Sequence, residues 1–347
     1  MIEIQDKVDC CGCSACSQAC PVKCIRMTPD EEGFCYPTID TSVCINCHRC
    51  ENVCPIINIK HSSVSEPPKT LACINHDDKI RHSSSSGGVF YSLAKKVLDD
   101  KGVVFGAMFD AQWNVVHNFI DREKDISKLQ GSKYVQSEIQ SSYKKAKDFL
   151  KNGRTVLFSG TPCQIAGLKF FLGRDYNNLI LVEVICHGVP SPLIWRMYLS
   201  KQLSLFNRQL QMEALAISSI NFRDKSEMGW KNFGLSYLLC GGIRGKDNIT
   251  RCFETHNKNP YLRAFIRNLT LRPCCYECHF KSFVNQADYA LADLWGTEHF
   301  FPKNDDKGVS LVYTFRDPLK LSEDPKIQSV LIDYSKSYMS NPAVHQS

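Results

Sequence analysis

With 347 residues, 43% of them hydrophobic and 22% charged, the chain has an ordinary globular composition. There is room for a small unit plus one larger domain or two medium ones. The net charge of +6 reads as a generally solvated surface and gives no reason to expect a nucleic-acid partner. No apolar run approaches a membrane span, and Met1 to Lys7 carry no signal-peptide core.

Nineteen cysteines organise the first stretch. Cys10, Cys13, Cys16 and Cys20 precede Pro21, and Cys44, Cys47, Cys50 and Cys54 precede Pro55. Each run is C-x2-C-x2-C-x3-C-P, the spacing of bacterial two-cluster ferredoxins. Three close thiolates converge on one 4Fe-4S cubane, and the following turn carries the fourth to the other cluster. The spacing assigns Cys10, Cys13, Cys16 and Cys54 to one cluster and Cys44, Cys47, Cys50 and Cys20 to the second. Cys11 is passed over because Cys10 is the residue three positions before Cys13. A zinc module is the alternative, although zinc sites usually show two CxxC pairs instead. Low-potential clusters need a reducing compartment, so a cytoplasmic location is expected. With clusters present, a docking face for an acidic electron carrier is the second reading of the positive charge.

Between the runs, Asp30-Glu31-Glu32-Gly33 separates short apolar pieces within Ile25 to Pro37 and reads as a hairpin turn. Cys24 and Cys35 fall outside the ligand spacing and read as buried structural thiols. A polar, Ser/Pro-containing stretch follows, which sets a ferredoxin domain at 1–60, a linker at 61–69 and a larger domain at 70–347. Thr70 to Ile74 is a short strand with Cys73 as a core thiol. Ser83 to Gly88 then opens a helix whose Val89, Phe90, Leu93, Ala94, Val97 and Leu98 share one face, ended by Gly102. A Ser/Gly run at a helix start suits phosphate oxygens; a flexible loop with an N-cap is the plainer reading. Val103 to Phe109 is a strand, with Val115 to Ile120 as its hairpin partner.

Arg154 to Gly160 is a β-branched strand leading into Thr161-Pro162-Cys163-Gln164 and a helix through Leu172. Leu179 to Ile185 is another buried strand, ending in Cys186-His187-Gly188-Val189-Pro190-Ser191-Pro192 and a helix from Leu193 to about Leu205. This alternation implies a right-handed crossover and a parallel sheet. Cys163 and Cys186 then lie past the carboxyl ends of neighbouring strands, on the edge where α/β proteins place ligands. After a helix from Tyr261 to Leu269, Cys275 and Cys278 form a CxxC, and a strand Asp288 to Ala292 ends in Asp293-Leu294-Trp295-Gly296. Cys163, Cys186, Cys275 and Cys278 make four thiolates for a third iron–sulfur cluster; a structural zinc is the competing reading. Cys274 has the wrong spacing and reads as a spare, and Cys240 and Cys252 read as core thiols.

The order of a ferredoxin module, Ser85-Ser86-Gly87-Gly88-Val89-Phe90, Gly131-Ser132-Lys133-Tyr134, Gly160-Thr161-Pro162-Cys163-Gln164, Cys186-His187-Gly188-Val189-Pro190-Ser191-Pro192 and Cys275-x-x-Cys278 with Ala292-Asp293-Leu294-Trp295-Gly296 carries a resemblance. It resembles the coenzyme F420 hydrogenase/dehydrogenase beta-subunit family with a fused N-terminal dicluster ferredoxin, over nearly the whole chain. The resemblance implies an FAD beside a 4Fe-4S cluster, with Cys163, Cys186, Cys275 and Cys278 matching the cluster ligands by position. Ser85, Ser86, Gly87, Gly88, Gly131, Ser132, Lys133 and Tyr134 match flavin-contacting segments. Lys133 would offset the FAD pyrophosphate or hydrogen-bond the isoalloxazine; a surface lysine is the other reading. Family members of this fused type usually run further past an Asn-Pro like Asn341-Pro342, and similar chains occur where the deazaflavin is not expected.

The expected fold class is α+β with an α/β core: a dicluster ferredoxin fold, then a larger flavin-binding domain with a mixed, partly parallel sheet. The expected function is an iron–sulfur flavoprotein oxidoreductase. It would pass electrons between the ferredoxin clusters and FAD, with hydride exchange to an F420-like or other small two-electron substrate. An electron-carrier protein or partner oxidoreductase is the expected macromolecular partner. The alternatives are an electron-input subunit without its own substrate, and a cluster-bearing regulatory or binding protein without flavin. No catalytic acid is assigned; His187, beside a ligand cysteine, and Asp293, at a strand end, are the candidates.

Overall fold

The computed structural model describes residues 1–59, 66–210, 213–243, 246–296 and 305–344. Of the linker expected at 61–69, residues 61–65 lie outside the described residues, and a strand already begins at Lys69.

The N-terminal segment is a pair of similar halves around one hairpin. Strands β1 (Ile25–Pro29) and β2 (Cys35–Ile39) pair antiparallel, Ile25 opposite Ile39 and Pro29 opposite Cys35. Asp30 fixes the turn by accepting from the N–H groups of Glu32 and Phe34. In each cysteine run the residues before and after the second spaced cysteine are left-handed: Gly12 and Ser14 around Cys13, Asn46 and His48 around Cys47. Gly and Asn tolerate that conformation best. The chain thus makes the same tight turn twice and presents the thiols in each run in the same way.

The larger part is built on an eight-stranded mixed sheet. In chain order its strands are β3 (Lys69–Asn75), β4 (Val103–Phe109), β5 (Val115–Ile120), β6 (Val156–Gly160), β7 (Leu179–Val184), β11 (Tyr289–Asp293), β12 (Ser310–Thr314) and β13 (Ile327–Ile332). Their order across the sheet is β13-β3-β12-β11-β7-β6-β4-β5. The central neighbours β4, β6, β7 and β11 run parallel, and the outer pairings are antiparallel. β6 is buried at all five positions and β7 at five of six, as a parallel strand covered on both faces must be. On one face the helix Val89–Asp99 packs Val89, Leu93, Ala94, Val97 and Leu98. On the other lies the helix Pro162–Leu172, in one apolar cluster with Cys11 and Cys13. The N-terminal segment is therefore seated on the sheet's own core.

A separate antiparallel sheet, β8 (Glu213–Asp224), β9 (Gly234–Ile243) and β10 (Lys246–Thr255), is ordered β10-β9-β8. The helix Pro192–Leu210 runs beyond the expected end near Leu205 because Phe206 and Leu210 still find apolar partners beside this sheet. Cys240 and Cys252 lie on its strands, but both are half-buried and not core thiols. Cys35 is likewise half-buried, while Cys24 and Cys73 are buried as expected. The helix expected from Tyr261 to Leu269 is Pro260–Ile266, capped by Asn259. Among the described residues no helix is long and apolar enough to cross a membrane.

His117 on β5 is buried where the sheet meets the helix Pro162–Leu172. Its Nε2 donates to the Ser159 carbonyl at 2.8 Å. Its Nδ1 accepts from Ser137 at 2.9 Å, whose oxygen is in turn held by Gln164. Burial pulls the imidazole down to about 4, so the native protein keeps it neutral. The unfolded chain takes up the proton first, near pH 6.5. This contribution to stability is present above that pH and is lost as the pH falls toward 4, by roughly 2 kcal/mol at pH 5. His117→Gln is expected to flatten the loss between pH 7.5 and pH 5. Urea midpoints of both proteins at the two values check this, and an equal acid loss in the variant would place the proton uptake elsewhere.

Candidate functional site

β6 and β7 are parallel neighbours, so their carboxyl ends open on one edge. Past β6, Pro162 starts the helix and Gln164 Oε1 accepts from the Thr161 N–H at 3.0 Å, which fixes Cys163 in the first turn. Past β7, the Cys186 carbonyl accepts from Lys281 Nζ at 2.6 Å. The loop that follows Cys186 is then tied to the CxxC loop. Pro190 bridges Leu271, and Arg272 N–H donates to the Val189 carbonyl at 3.0 Å. These ties bring Cys163, Cys186, Cys275 and Cys278 to one cavity.

Two more thiols line the same cavity, Cys11 and Cys274, together with His187, His279 and Lys281. Both thiols fall outside the ligand spacing. The signal for them in the sequence is the doubled cysteine at 10–11 and at 274–275, where one neighbour can serve as ligand and the other still face the site. The Cys274 thiol hydrogen-bonds to Cys275 and lowers it, while burial pushes Cys278 up to about 11. The cavity holds about 500 Å³ of empty space, part of it open to solvent. Among the described residues no group of three or more His, Cys, Asp or Glu side chains stands placed to hold a metal ion.

The N-terminal thiols fall into two groups. Cys16 has Cys10 and Cys54 as electrostatic neighbours, Cys13 has Cys16 and Cys54, and burial pushes Cys16 up to about 12. Cys20, Cys44, Cys47 and Cys50 line a second cavity. Cys24 belongs to it as well, with its Sγ 3.4 Å from that of Cys20; it faces that cavity as a fifth thiol. Cys47 is exposed, and Cys10, Cys13, Cys16 and Cys54 lie deeper.

Arg272 joins this segment to the rest. It is fully buried and donates to the Cys10 carbonyl at 2.7 Å, the Cys35 carbonyl at 3.0 Å and Gln136 Oε1 at 3.0 Å. Its guanidinium stacks 4.3 Å from the Tyr36 ring centre.

The Ser85–Gly88 and Gly131–Tyr134 segments meet each other. Ser85 Oγ accepts from the Ser132 N–H at 2.7 Å and lies 2.9 Å from Ser132 Oγ. Gly87 donates to Ser310 Oγ at 2.9 Å, and any Cβ there would sit 2.2 Å from the Cys73 carbonyl oxygen. Gly131 faces open space. Lys133 is half-buried and not a surface lysine; desolvation pulls its ammonium down to about 7. It donates to the Gln130 and Gly131 carbonyls at 2.9 and 3.1 Å.

Asp293 pairs with the buried Arg223 at 2.9 Å. Arg223 also lies 3.9 Å from the Phe233 ring centre, and its Nε has no hydrogen-bond partner among the described residues. The His187 ring stands edge-on to Phe265 at 5.0 Å, and Phe265 stacks on Tyr134 at 4.5 Å. The cysteine cavity and the Gly131–Tyr134 segment are thus connected through His187, Phe265 and Tyr134. Phe265 is invisible in the sequence, where it is one apolar residue of a short helix.

A family model for the C-terminal region of the coenzyme F420 hydrogenase/dehydrogenase beta chain matches residues 153–318. That stretch carries Cys163, Cys186, Cys275 and Cys278. Among solved structures, a chain of the xenon-derivatised F420-reducing NiFe hydrogenase complex from Methanosarcina barkeri is similar at 16% identity and a TM-score of 0.45, over 80% of this chain and 91% of that one. No curated protein matches this chain.

Proposed function

We propose that this chain is an iron–sulfur flavoprotein oxidoreductase with three 4Fe-4S centres and one FAD. The carrying observation is the continuous arrangement of its sites. An exposed thiol cavity leads to a deeper thiol group, then to the cavity of Cys163, Cys186, Cys275 and Cys278, then through His187, Phe265 and Tyr134 to the paired serine–glycine segments. The six thiols in the lining suit iron–sulfur clusters or zinc, and the two N-terminal runs of ferredoxin spacing favour the iron–sulfur choice. The family match over residues 153–318 supports an oxidoreductase, and the beta-chain role of that family favours a partner oxidoreductase or electron carrier.

The residues around Ser85 and Gly131 suit FAD. Gly131 leaves space, Ser85 and Ser132 present hydroxyls, and the cationic side chain of Arg223 has a buried donor to spare. When bound, a flavin exchanges single electrons for a two-electron equivalent. The chain's own contribution is position: Tyr134 and Phe265 hold the gap between thiol cavity and flavin segment, and Asp293 fixes Arg223. The two-electron partner is a small organic molecule of the F420-like type or another hydride acceptor.

Iron and flavin per chain, measured on protein purified without oxygen, test this. About twelve irons with one FAD are expected. About eight irons with zinc and no flavin would overturn it and leave a two-cluster protein with a structural metal.

A further inference from the structure

The inner N-terminal thiols and the cavity of Cys163 are in contact, and Cys11 belongs to both. Cys11 is buried and lines the cavity with Cys163, Cys186, Cys275 and Cys278. Cys11 packs in one apolar cluster with Cys13 and Cys163, and its thiol interacts electrostatically with both. Its carbonyl is held by Gln136 Nε2 at 3.1 Å, and Arg272 grips the preceding carbonyl, so the residue has little freedom to turn away. The helix that carries Cys163 comes equally close. One turn on from Cys163, a Cβ at Gly167 would sit 3.0 Å from Cys13 Sγ.

We propose that Cys11 is a positioning residue that links two centres without being a ligand of either. Its S–H, lodged between ligand sulfurs Cys13 and Cys163, sets their relative potential and forms the contact through which an electron passes. This rests on the iron–sulfur reading of both sites. The chemistry assigns the roles. A thiolate bound to iron has no proton to give, so among these three sulfurs Cys11 is the donor. A hydrogen bond to a ligand sulfur stabilises the extra negative charge of the reduced cluster and raises its potential. The electron leaves one centre and reduces the other; no bond forms or breaks, and the proton stays on Cys11. Cys10 is free to serve the inner cluster, since it faces Cys16 and not the cavity.

The test uses the full chain, loaded anaerobically, as wild type, Cys11→Ala and Cys11→Ser. Iron is counted and the midpoints of the paramagnetic centres are followed by a redox titration. All three proteins are expected to hold about twelve irons. In Cys11→Ala the midpoint of the Cys13 or the Cys163 centre is expected to fall. The expected threefold to tenfold shift corresponds to at most about 59 mV for a one-electron couple. In Cys11→Ser, which keeps a donor, the midpoint should stay near wild type or rise. A loss of about four irons in Cys11→Ala would make Cys11 a ligand and overturn the proposal. Unchanged midpoints with full iron in Cys11→Ala would overturn it too, by removing the hydrogen bond's role. A wild type holding only about eight irons would bring down the iron–sulfur reading itself, and the inference with it, before any variant was compared.

Discussion

Replacing Arg272 with methionine is expected to destabilise the protein by about 3–5 kcal/mol and to loosen the N-terminal segment first. The side chain is fully buried and has no carboxylate partner among the described residues, so its charge is met by three acceptors and by the Tyr36 ring. Two of those acceptors are carbonyls of the cysteine-rich segment, at Cys10 and Cys35, and the third is Gln136 of the larger part. Methionine fills part of the volume but leaves two buried carbonyls without a donor, which is the costly half of losing a hydrogen bond. Arg272→Lys should recover little, because one ammonium cannot span three acceptors set around a planar fork. Denaturant midpoints give the total. Limited proteolysis, read at residues 1–59, tells whether the loss is local. A change under about 1 kcal/mol in Arg272→Met would show that the segment is held by packing alone.

The contrast between Arg272 and the cysteine runs shows which parts of the site are legible in a sequence. Cluster spacing is local: C-x2-C-x2-C-x3-C is a statement about consecutive turns, and the left-handed pairs Gly12–Ser14 and Asn46–His48 are its direct expression. The juxtaposition of Cys163 and Cys186 is readable for a related reason. Two buried strands joined by one helix leave few arrangements, and the parallel pairing of β6 with β7 is the favoured one. Arg272 and Phe265 are not readable, and Cys11 and Cys274 show only as doubled cysteines without a role. Each takes its role from chain far away in sequence, Arg272 from residues 10, 35 and 136 together, and no periodicity records such a meeting. The sheet β8–β10 escapes a sequence reading apart from its two cysteines. The edges of the large sheet escape it as well: β12 and β13 pair with β3 from more than two hundred residues away.

On the proposed three-cluster reading, removing one thiol of the cavity should cost the cluster assigned to it and spare the other two. Cys186 is the best choice, because its thiol neighbours are Cys275, Cys163 and Cys278, all within the cavity. Cys163 touches Cys11, so a change there would disturb the inner N-terminal group as well. Cys186→Ala is expected to lower iron from about twelve to about eight per chain while leaving the ferredoxin-type spectrum in place. The flavin proposed for the segments around Ser85 and Ser132 should remain bound, since those segments and Arg223 lie on other loops and strands than Cys186. Electrons supplied by a one-electron dye should then reach the flavin far more slowly, whereas a two-electron donor acting on the flavin directly should be unaffected. That split follows from the order of the sites: the thiol cavity stands between the N-terminal thiols and His187–Phe265–Tyr134. If iron stays at about twelve, Cys186 is not a ligand, and Cys274, which lines the same cavity, becomes the replacement to test. If iron falls but dye-driven flavin reduction keeps its rate, the cluster in this cavity holds structure and the electrons take another path.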